Sequence, residues 1–504
     1  MTNTTAQYTP AVGVNLLDPS VVALNGVPTN GIDVVGTASF GPTNQPTTFG
    51  SYAEGTTVFG NMQAAKYDGM TVVAAAGLNG GTAFNFVRIT DGTDTAATTD
   101  ATVSNAVAAT LSAKYTGSLG NQITVNLVTG GRANTLTATV SAPGMTSELY
   151  PNLSTSAFWT NLANAVNLGS GVLRGPSLLL SITNANASVA APAAPASYTL
   201  SGGTNGANTI NASVLVGAQT VPAKGMYATA QTTGQILVLA DCDDSTVWTT
   251  VAAFAEQNYK TTILTGPAGD TVSAAITRKS SAGLNSNRTV LLHGDWVSFD
   301  DTVNGLVRKI SPQGFYAGMR ANLLPSASTL NKVLNGIVTT ERLASGSPYS
   351  TAETDQLFAN GIDLITNPIP RGAAFGVRGG YTTTSIESEN FDSWSTLSNY
   401  LAATLQSGTG LYVGGYINND TYQNVTATLT YFLDGLVNAG ILFLNSDGSL
   451  PFTVVCNASN NPQSQTALGY LVADVAVTYP GIVRFFNINM VGGTIVVTMT
   501  TQAA

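Results

Sequence analysis

The residues of this chain that could do chemistry are few and lie near its middle. Asp241, Asp243 and Asp244 follow an apolar run typical of a buried strand, and a helical pattern starts directly after them. Carboxylates at the carboxyl end of such a strand could bind a metal ion or a substrate. They could equally cap the N-terminus of the helix and interact favourably with its dipole. Capping is the preferred interpretation, because no second acidic cluster or histidine is at hand to complete a metal site.

The single histidine, His293, lies in another apolar run. A lone histidine on an apolar strand is more often a satisfied core residue than a catalytic base, and no Ser-His-Asp arrangement can be assembled around it. The Gly-rich GGTNG that begins at Gly202 lacks the Gly-Lys-Ser/Thr and the helix of a phosphate loop, so turn formation explains it better. We therefore expect no catalytic residue, no metal and no cofactor. An α/β enzyme stays open only as a third hypothesis.

The composition favours assembly over catalysis. Charged residues make up 9% of the 504 residues, against roughly 25% in average soluble proteins. The net charge of −9 is a weak barrier to self-association over this length. The 18 basic residues are scattered, which predicts no contact with nucleic acid. No apolar run reaches the roughly 18 residues that a membrane span needs, so no membrane insertion is expected.

The two cysteines, Cys242 and Cys456, are isolated from each other in apolar surroundings. The start of the chain has neither the positive region nor the apolar region of a secretory signal, so nothing favours an oxidising compartment. The pattern predicts two buried free thiols rather than a disulfide.

Alternating strands and helices are predicted from Gln235 to His293, which is the signature of a buried parallel sheet. Two earlier strands, Ile32–Ala38 and Phe84–Thr90, flank a helix predicted over Ala64–Leu78. Arg88 in the second of these strands needs a carboxylate or carbonyl partner, and a structural ion pair is the preferred interpretation.

The stretch from Ser350 to Ser385 organises the rest of the chain. The spacing of Ser350 and Glu353 predicts a capping box for a helix over about 351–360, which a left-handed Gly361 can end. The apolar run that follows Gly361 predicts a strand, and a Pro-rich connection leads to a second strand over Phe375–Tyr381. Two central strands are therefore expected on either side of a tight connection.

Residues 91–224 are rich in Thr, Ala, Asn and Gly and contain short alternating runs, which predict an inserted all-β domain. Within it, the Pro-interrupted segment Ala185–Ser197 is expected to be an exposed loop. Further along, two helices with apolar faces are predicted to start at Asp392 or Ser393 and at Asp420. The strands expected after them are Phe452–Cys456, Tyr470–Tyr479 and Ile482–Met490.

Both ends of the chain are predicted to be extended arms that pair with neighbouring molecules. Apolar residues alternate near the start, as in a half-buried strand. The TIVVTM run near the end carries neither charge nor proline, so it would be an aggregation hazard unless it adds to a sheet edge on a neighbouring subunit. The predicted contact residues of the arms are Val12, Val14, Leu16, Ile495, Val496, Val497 and Met499.

Several short motifs, taken in order, resemble those of the contractile-tail sheath proteins of bacteriophages. The family has a "vvG-x-a-x-x-GP-x-n-x-P" segment near its N-terminus, a "gin-x-i" strand, a "G-x-R-T" strand and a C-terminal "f-x-V-x-c-x-x-x-N" strand. The segments of this chain that resemble them are Gly31–Pro46, Gly361-Ile362-Asp363, Gly376-Val377-Arg378-Gly379 and Pro451–Met490.

This resemblance implies a structural subunit of a contractile phage tail sheath, not an enzyme. Such a subunit would form a helical homo-oligomer of stacked hexameric rings around an inner tail tube, and would contract to drive the tube through the host envelope. The tail tube protein, the baseplate and the tail terminator proteins would be its partners. The virion tail would be its location, after assembly in the host cytoplasm. The alternative is a non-contractile virion protein or a surface-layer protein, which shares the low charge and the Thr-rich insertion.

The predicted fold is a mixed α/β (α+β) multidomain architecture. A central α/β core is built from N- and C-terminal segments, with an inserted all-β domain and extended terminal arms. The predicted divisions are an N-terminal arm (1–20), the first part of the core (21–90), the β-rich insertion (91–224), the α/β part of the core (225–390), a C-terminal sheath domain (391–490) and a C-terminal arm (491–504).

Overall fold

A computed structural model describes residues 24–169, 174–488 and 490. Its helices are α1 (Tyr52–Phe59), α2 (Gly69–Gly77), α3 (Phe158–Asn167), α4 (Ala212–Val216), α5 (Trp248–Gln257), α6 (Val272–Ala282), α7 (Gln313–Ala321), α8 (Glu341–Ala344), α9 (Thr351–Ala359), α10 (Asp392–Thr409), α11 (Asn419–Asn438) and α12 (Gln463–Thr466). Its strands are β1 (Gly31–Gly36), β2 (Thr47–Phe49), β3 (Ala83–Arg88), β4 (Thr98–Val103), β5 (Ala106–Ala113), β6 (Thr124–Thr129), β7 (Thr135–Ser141), β8 (Glu148–Ser154), β9 (Leu180–Thr183), β10 (Ala196–Thr199), β11 (Ile236–Leu239), β12 (Thr261–Thr265), β13 (Thr289–Leu292), β14 (Val297–Asp301), β15 (Leu306–Ile310), β16 (Ile337–Thr340), β17 (Ile365–Thr366), β18 (Gly376–Val377), β19 (Phe452–Val455) and β20 (Asp474–Val477).

A six-stranded sheet forms the centre of the molecule. Its strand order is β13-β12-β11-β1-β3-β2, and all neighbours are parallel except β2, which runs antiparallel to β3. Ile32 on β1 lies opposite Ile236 on β11 and Phe84 on β3. Two segments separated by the insertion therefore build one sheet. This confirms the prediction of a core made from distant parts of the chain.

Helices cover both faces of this sheet, because its strands are apolar on both sides. Ile32 and Val34 contribute to the core under α2 and α7, whereas Val35 contributes to the core under α5 and α6. Helices α2 and α7 approach closely at Gly318, where an added Cβ would lie 2.1 Å from the Ala76 carbonyl oxygen. Such a doubly covered parallel sheet is the arrangement that the alternating strand and helix pattern predicted.

The charged groups inside the central sheet have partners. Lys260 Nζ lies 2.7 Å from Asp33 Oδ2, and both side chains are buried. Arg88 donates to the carbonyl oxygens of Gly41 at 2.7 Å and Thr116 at 2.8 Å. The predicted ion pair of Arg88 was wrong, since within the described chain its guanidinium is held by hydrogen bonds to oxygen acceptors and no carboxylate lies within 4 Å of it.

The inserted region is β-rich but not all-β. It holds a four-stranded sheet, β10-β6-β7-β8, and a three-stranded sheet, β4-β5-β9. Helix α3 packs between them and buries Phe158, Trp159 and Leu162 in the core that the two sheets share. The sequence analysis missed this helix because the polar composition around it is typical of strands and turns. The division at residues 91 and 224 stays a prediction.

Local capping decides where several helices begin and end. Helix α9 has the predicted capping box between Ser350 and Glu353, and Gly361 after it adopts a left-handed conformation with φ of 60°. Helix α2 starts at Gly69 rather than at the predicted Ala64, because the Asp68 side chain accepts a hydrogen bond from the Thr71 backbone N–H. The two thiols of Cys242 and Cys456 are free and buried, as predicted.

The C-terminal part of the described chain is a separate apolar cluster. Helices α10 and α11 pack together through residues such as Leu397, Leu429 and Phe432, and the two-stranded sheet β19-β20 rests on α11. Three expectations need correction. The strand predicted over Ile482–Met490 is not formed in residues 482–488. The strand predicted over Tyr470–Tyr479 is limited to β20, and the strands predicted after Gly361 and over Phe375–Tyr381 shrink to the short pair β17 and β18.

Candidate assembly site at the C-terminal segment

The site begins with a buried carboxylate that fixes a turn. Asp363 accepts backbone N–H hydrogen bonds from Gly379 and Gly380, each at 2.9 Å, and from Tyr381 at 3.3 Å. Gly380 has φ of 67°, a conformation that suits glycine. Burial raises the pKa of the Asp363 carboxyl to about 7, and the N–H donors oppose that shift because they stabilise the carboxylate. Asp363 thus positions the ring of Tyr381.

Tyr381 is one side of a clamp that holds an arginine from the end of the chain. The Arg484 guanidinium lies 3.9 Å from the ring centroid of Tyr381 and 3.7 Å from that of Phe391. It also donates to Asn390 Oδ1 at 3.1 Å and to the Gly380 carbonyl oxygen at 3.2 Å. A cation over an aromatic face is stabilised by about 0.5–1 kcal/mol at an exposed site, and by more when it is desolvated. We call Arg484, Tyr381 and Phe391 the Arg484 clamp.

The chain leading into the clamp is also attached to the body. Trp394 Nε1 donates to the Pro480 carbonyl oxygen at 2.9 Å, and the hydroxyls of Ser398 and Tyr479 lie 2.8 Å apart. Trp394 and Ser398 both belong to α10. The path of the chain from β20 to Arg484 is therefore fixed by side chains rather than by a sheet.

Beyond the clamp the chain exposes large apolar groups. Val483 and Ile488 are each 75% exposed, and Phe485 and Phe486 are each 80% exposed. Residues 482–488 form no backbone hydrogen bond with any other residue that the structure describes. Unpaired backbone groups beside exposed phenylalanines are typical of a surface that another polypeptide can cover. We call residues 482–488 the C-terminal segment.

The sheet β19-β20 offers a second open surface. Phe452 lies opposite Val477 in its antiparallel register, and no third strand joins it within the described ranges. Two-stranded sheets are marginal alone, and their outer edges can accept another strand. The C-terminal part thus combines an open sheet edge with a segment that is uncovered within the described residues.

The predicted acidic cluster does not form one site. Asp244 caps the turn before α5 by accepting from the Thr246 backbone N–H, as predicted. Asp243 instead pairs with Lys66 at 2.9 Å, and the buried Asp241 accepts from the backbone N–H groups of Tyr67 and Ser311. In the part of the chain that the structure describes, no group of three His, Cys, Asp or Glu residues is placed to hold a metal ion.

His293 is a core residue, but it is not satisfied. It is 3% exposed and packs edge-on against Tyr349 with 5.8 Å between ring centroids. Neither ring nitrogen has a hydrogen-bond partner among the described residues. Burial lowers its pKa to about 4, so the imidazole is neutral at pH 7. The GGTNG sequence has positive φ at Gly202 and Gly206, but Thr204 within it forms an isolated antiparallel bridge with Thr95, so the predicted tight turn is instead an irregular segment bridged to residue 95.

Sequence reasoning missed the Arg484 clamp as a functional feature. One signal was available: Arg484 is the only Lys or Arg after Arg378. Its partners come from residues 380–391, about a hundred positions earlier, and no local pattern connects the two regions. The predicted arm residues Val12, Val14, Leu16, Ile495, Val496, Val497 and Met499 lie outside the described residues.

Comparison with solved structures shows that the chain has the fold of sheath tail proteins. The sheath tail protein of Listeria innocua aligns with a TM-score of 0.60 at 14% identity, over 87% of this chain and 90% of that chain. The sheath tail protein of Desulfitobacterium hafniense aligns with a TM-score of 0.57 at 14% identity, over 88% of this chain and 93% of that chain. The sheath of the PVC extracellular contractile injection system, in its contracted state, aligns with a TM-score of 0.57 at 12% identity, over 97% of this chain and 99% of that chain.

No family model and no curated protein matches the sequence itself. The similarity is thus one of fold, and it extends over nearly the whole chain. This fold class agrees with the family that the sequence motifs resemble. In the described part of the chain, no helix has the length and apolar character needed to cross a membrane.

Proposed function

We propose that this chain is the structural subunit of a contractile tail sheath. The observation that carries the proposal is the C-terminal segment, which the Arg484 clamp holds in place while Phe485 and Phe486 stay uncovered. A protein with the sheath fold and such a segment needs neighbours of its own kind to bury it. The chain would form a helical homo-oligomer of stacked hexameric rings around an inner tail tube, in contact with baseplate and tail terminator proteins.

The arms would join neighbouring subunits. Residues 494–499 of one copy, and the alternating residues near the start of another, would add strands to open sheet edges such as those of β19-β20. Each added backbone hydrogen bond contributes about 0.5–1.5 kcal/mol, so a short strand links two copies by several kcal/mol before ordering costs. Such links survive when nearly rigid bodies move relative to one another.

Contraction would then be a change between two packings of the same rigid bodies, with the arms as hinges. The driving energy would be stored in the extended assembly rather than supplied by a nucleotide, because the Gly-rich sequence at Gly202 lacks the residues of a phosphate loop. His293 is buried and neutral, which does not favour a catalytic role. We infer that the chain is not an enzyme, and that it works in the virion tail, or in the corresponding part of a phage-derived injection device, after assembly in a host cytoplasm.

The test is electron microscopy of the purified chain together with a variant that lacks Gly492–Ala504. We expect the full chain to form wide hollow tubes with a helical surface, and the shortened chain to stay a folded monomer, because it has lost the strand that links copies. Circular dichroism provides the control for folding. Flat sheets from the full chain would favour a surface-layer protein, and normal tubes from the shortened chain would refute the role of the C-terminal arm.

A further inference from the structure

The backbone of Gly380 joins a buried carboxylate to the Arg484 clamp. The Gly380 N–H donates to Asp363 Oδ2 at 2.9 Å. The Gly380 carbonyl oxygen accepts from the Arg484 guanidinium and from the Asp392 backbone N–H, each at 3.2 Å. A Cβ added to Gly380 would lie 3.3 Å from Asp392 Oδ1, so the second carboxylate is close as well. Two aspartates and one arginine thus contact the same residue.

Arg484 is the cation that this turn brings toward both aspartates. Asp363 is fully buried and forms no ion pair within the described residues, whereas Asp392 has Arg320 at 3.9 Å. Burial lowers the pKa of Arg484, and the Asp392 and Asp363 carboxylates act in the opposite direction because they stabilise its positive charge. The attraction is mutual, so Arg484 also stabilises the charged form of Asp363.

The other charged groups around Asp363 are engaged elsewhere. The ammonium of Lys279, on α6, donates to the backbone carbonyl oxygens of Asn360 and Thr383. His293, which follows β13, is neutral and contacts Asp363 through its backbone N–H, which donates to the Asp363 carbonyl oxygen at 2.8 Å. The remaining groups are Tyr316 and Arg320 on α7, which lie next to Asp392, and Lys332, Asp355 and Arg378, which line a groove of about 1030 Å³ beside the C-terminal segment.

A proton on Asp363 would weaken the clamp in two ways. The neutral acid is a poorer acceptor for the three N–H groups of the turn, so the ring of Tyr381 is held less firmly. It also no longer attracts Arg484. Burial raises the pKa of Asp363 to about 7, and the Asp392 carboxylate adds to the increase, so this proton is bound close to neutral pH. Departure of Arg484 removes a positive charge and raises that pKa further.

We propose that the Arg484 clamp is a proton-sensitive attachment of the C-terminal segment, in which the charged Asp363 holds the segment and its protonation releases it. Because the released state binds the proton more tightly than the attached state, release becomes easier as the pH falls toward about 7, and the effect levels off once the attached state is protonated too. This device operates within one copy of the chain. It therefore goes beyond the proposed function and does not depend on polymer formation.

Trypsin can measure the attachment, because cleavage after Arg484 requires the guanidinium to leave the clamp and enter the protease. The full chain, kept dilute, is digested briefly at a series of values from about pH 9 to about pH 6, and the fragment of residues 485–504 is quantified by mass spectrometry. Cleavage after Arg132, which is exposed in the insertion, corrects for the pH dependence of the protease. We expect the ratio of the two rates to rise roughly tenfold as the pH falls. A ratio that stays constant or falls overturns the inference.

Two variants assign the effect to Asp363. Asp363→Asn cannot bind the proton, so its ratio should be high at every pH. This variant keeps Lys279, whose pKa burial lowers to about 8, and so retains any contribution from that lysine. Asp68→Asn is the matched control: burial raises the pKa of Asp68 to about 7 as well, but its hydrogen bonds go to Gln63 and Thr71. It should keep the wild-type profile. A wild-type profile in Asp363→Asn, or a flat one in Asp68→Asn, contradicts the proposal.

A second reading covers the case in which Asp363→Asn does not fold. Asp392→Asn removes the carboxylate that raises the pKa of Asp363, so the rise in the ratio should move to lower pH, and an unmoved profile rejects the role of Asp363. General unfolding is not a substitute explanation. The unfolded chain protonates Asp363 only near the usual aspartate pKa, so its protonation near pH 7 stabilises the folded body while it loosens the segment. Circular dichroism at each pH checks this.

Discussion

The central sheet buries its apolar and charged residues, whereas the C-terminal segment exposes its large apolar residues. In the sheet all six residues of β1 are buried, and the charged pair Asp33 and Lys260 is satisfied inside the protein. In the C-terminal segment Phe485 and Phe486 are exposed, and the backbone is unpaired within the described chain. The body thus buries these groups within one molecule, whereas the segment leaves them uncovered within the described residues, as our proposal of an assembly contact requires. Substitutions in the two regions should therefore have separable effects on folding and on assembly.

The largest effect is expected from the buried ion pair of the central sheet. Lys260→Met leaves the Asp33 carboxylate buried without its cation, and should lower the free energy of unfolding by about 3–5 kcal/mol. Thermal and denaturant unfolding of the monomeric protein would measure the loss. Adding Asp33→Asn to the variant removes the orphaned charge, so the double variant should be more stable than Lys260→Met alone. An equally unstable double variant would mean that packing, not charge, explains the effect.

A smaller effect, with a distinct pH dependence, is expected at His293. His293→Ala should lower stability by roughly 0.5–3 kcal/mol at pH 7, through the lost packing against Tyr349, and should leave assembly unchanged. Because the unfolded chain protonates His293 below about pH 6.5 and the folded chain only near pH 4, the wild type loses stability as the pH falls through this window.

His293→Phe separates these two contributions. It keeps an aromatic ring against Tyr349 but cannot bind a proton, so its stability should fall less than that of the wild type between pH 6.5 and pH 4. The raised pKa values of Asp68 and Asp363, each about 7, act in the opposite direction and are common to both proteins. Unfolding curves at a series of pH values would decide. Parallel pH profiles of the wild type and His293→Phe would mean that another group causes the acid sensitivity. A catalytic activity that the wild type has and His293→Ala lacks would revive the enzyme hypothesis.

The smallest effect on folding, and a large one on assembly, is expected at the Arg484 clamp. Arg484→Ala should change the unfolding of the body by less than about 1 kcal/mol, since the clamp lies at its surface. Polymer formation should weaken because the C-terminal segment loses its fixed starting point. Arg484→Lys keeps the charge without the planar stack on Tyr381 and Phe391, and should be intermediate. A full loss of folding in Arg484→Ala would remove the distinction between body and segment.

Much of the body could be predicted from the sequence because its helices and strands depend on local sequence patterns. The capping box at Ser350, the left-handed Gly361 and the apolar strands of the central sheet each depend on neighbours within a few residues. The predictions failed where a local pattern was ambiguous. Helix α3 lies in a polar region that favoured strands, and the extended alternation after Pro480 predicted a strand where no partner strand lies within the described residues.

The low charge, the alternation of strands and helices, and the motifs that resemble sheath proteins can all be seen in the sequence alone. Which distant residues come into contact is seen only in the folded chain. Asp363 holds the turn that presents Tyr381, Tyr381 and Phe391 hold Arg484, and Lys332 and Arg378 come to one groove with the C-terminal segment. Sequence periodicity reports only which face of an element is buried. The meeting of residues many positions apart depends on how several elements pack together, which no local spacing records.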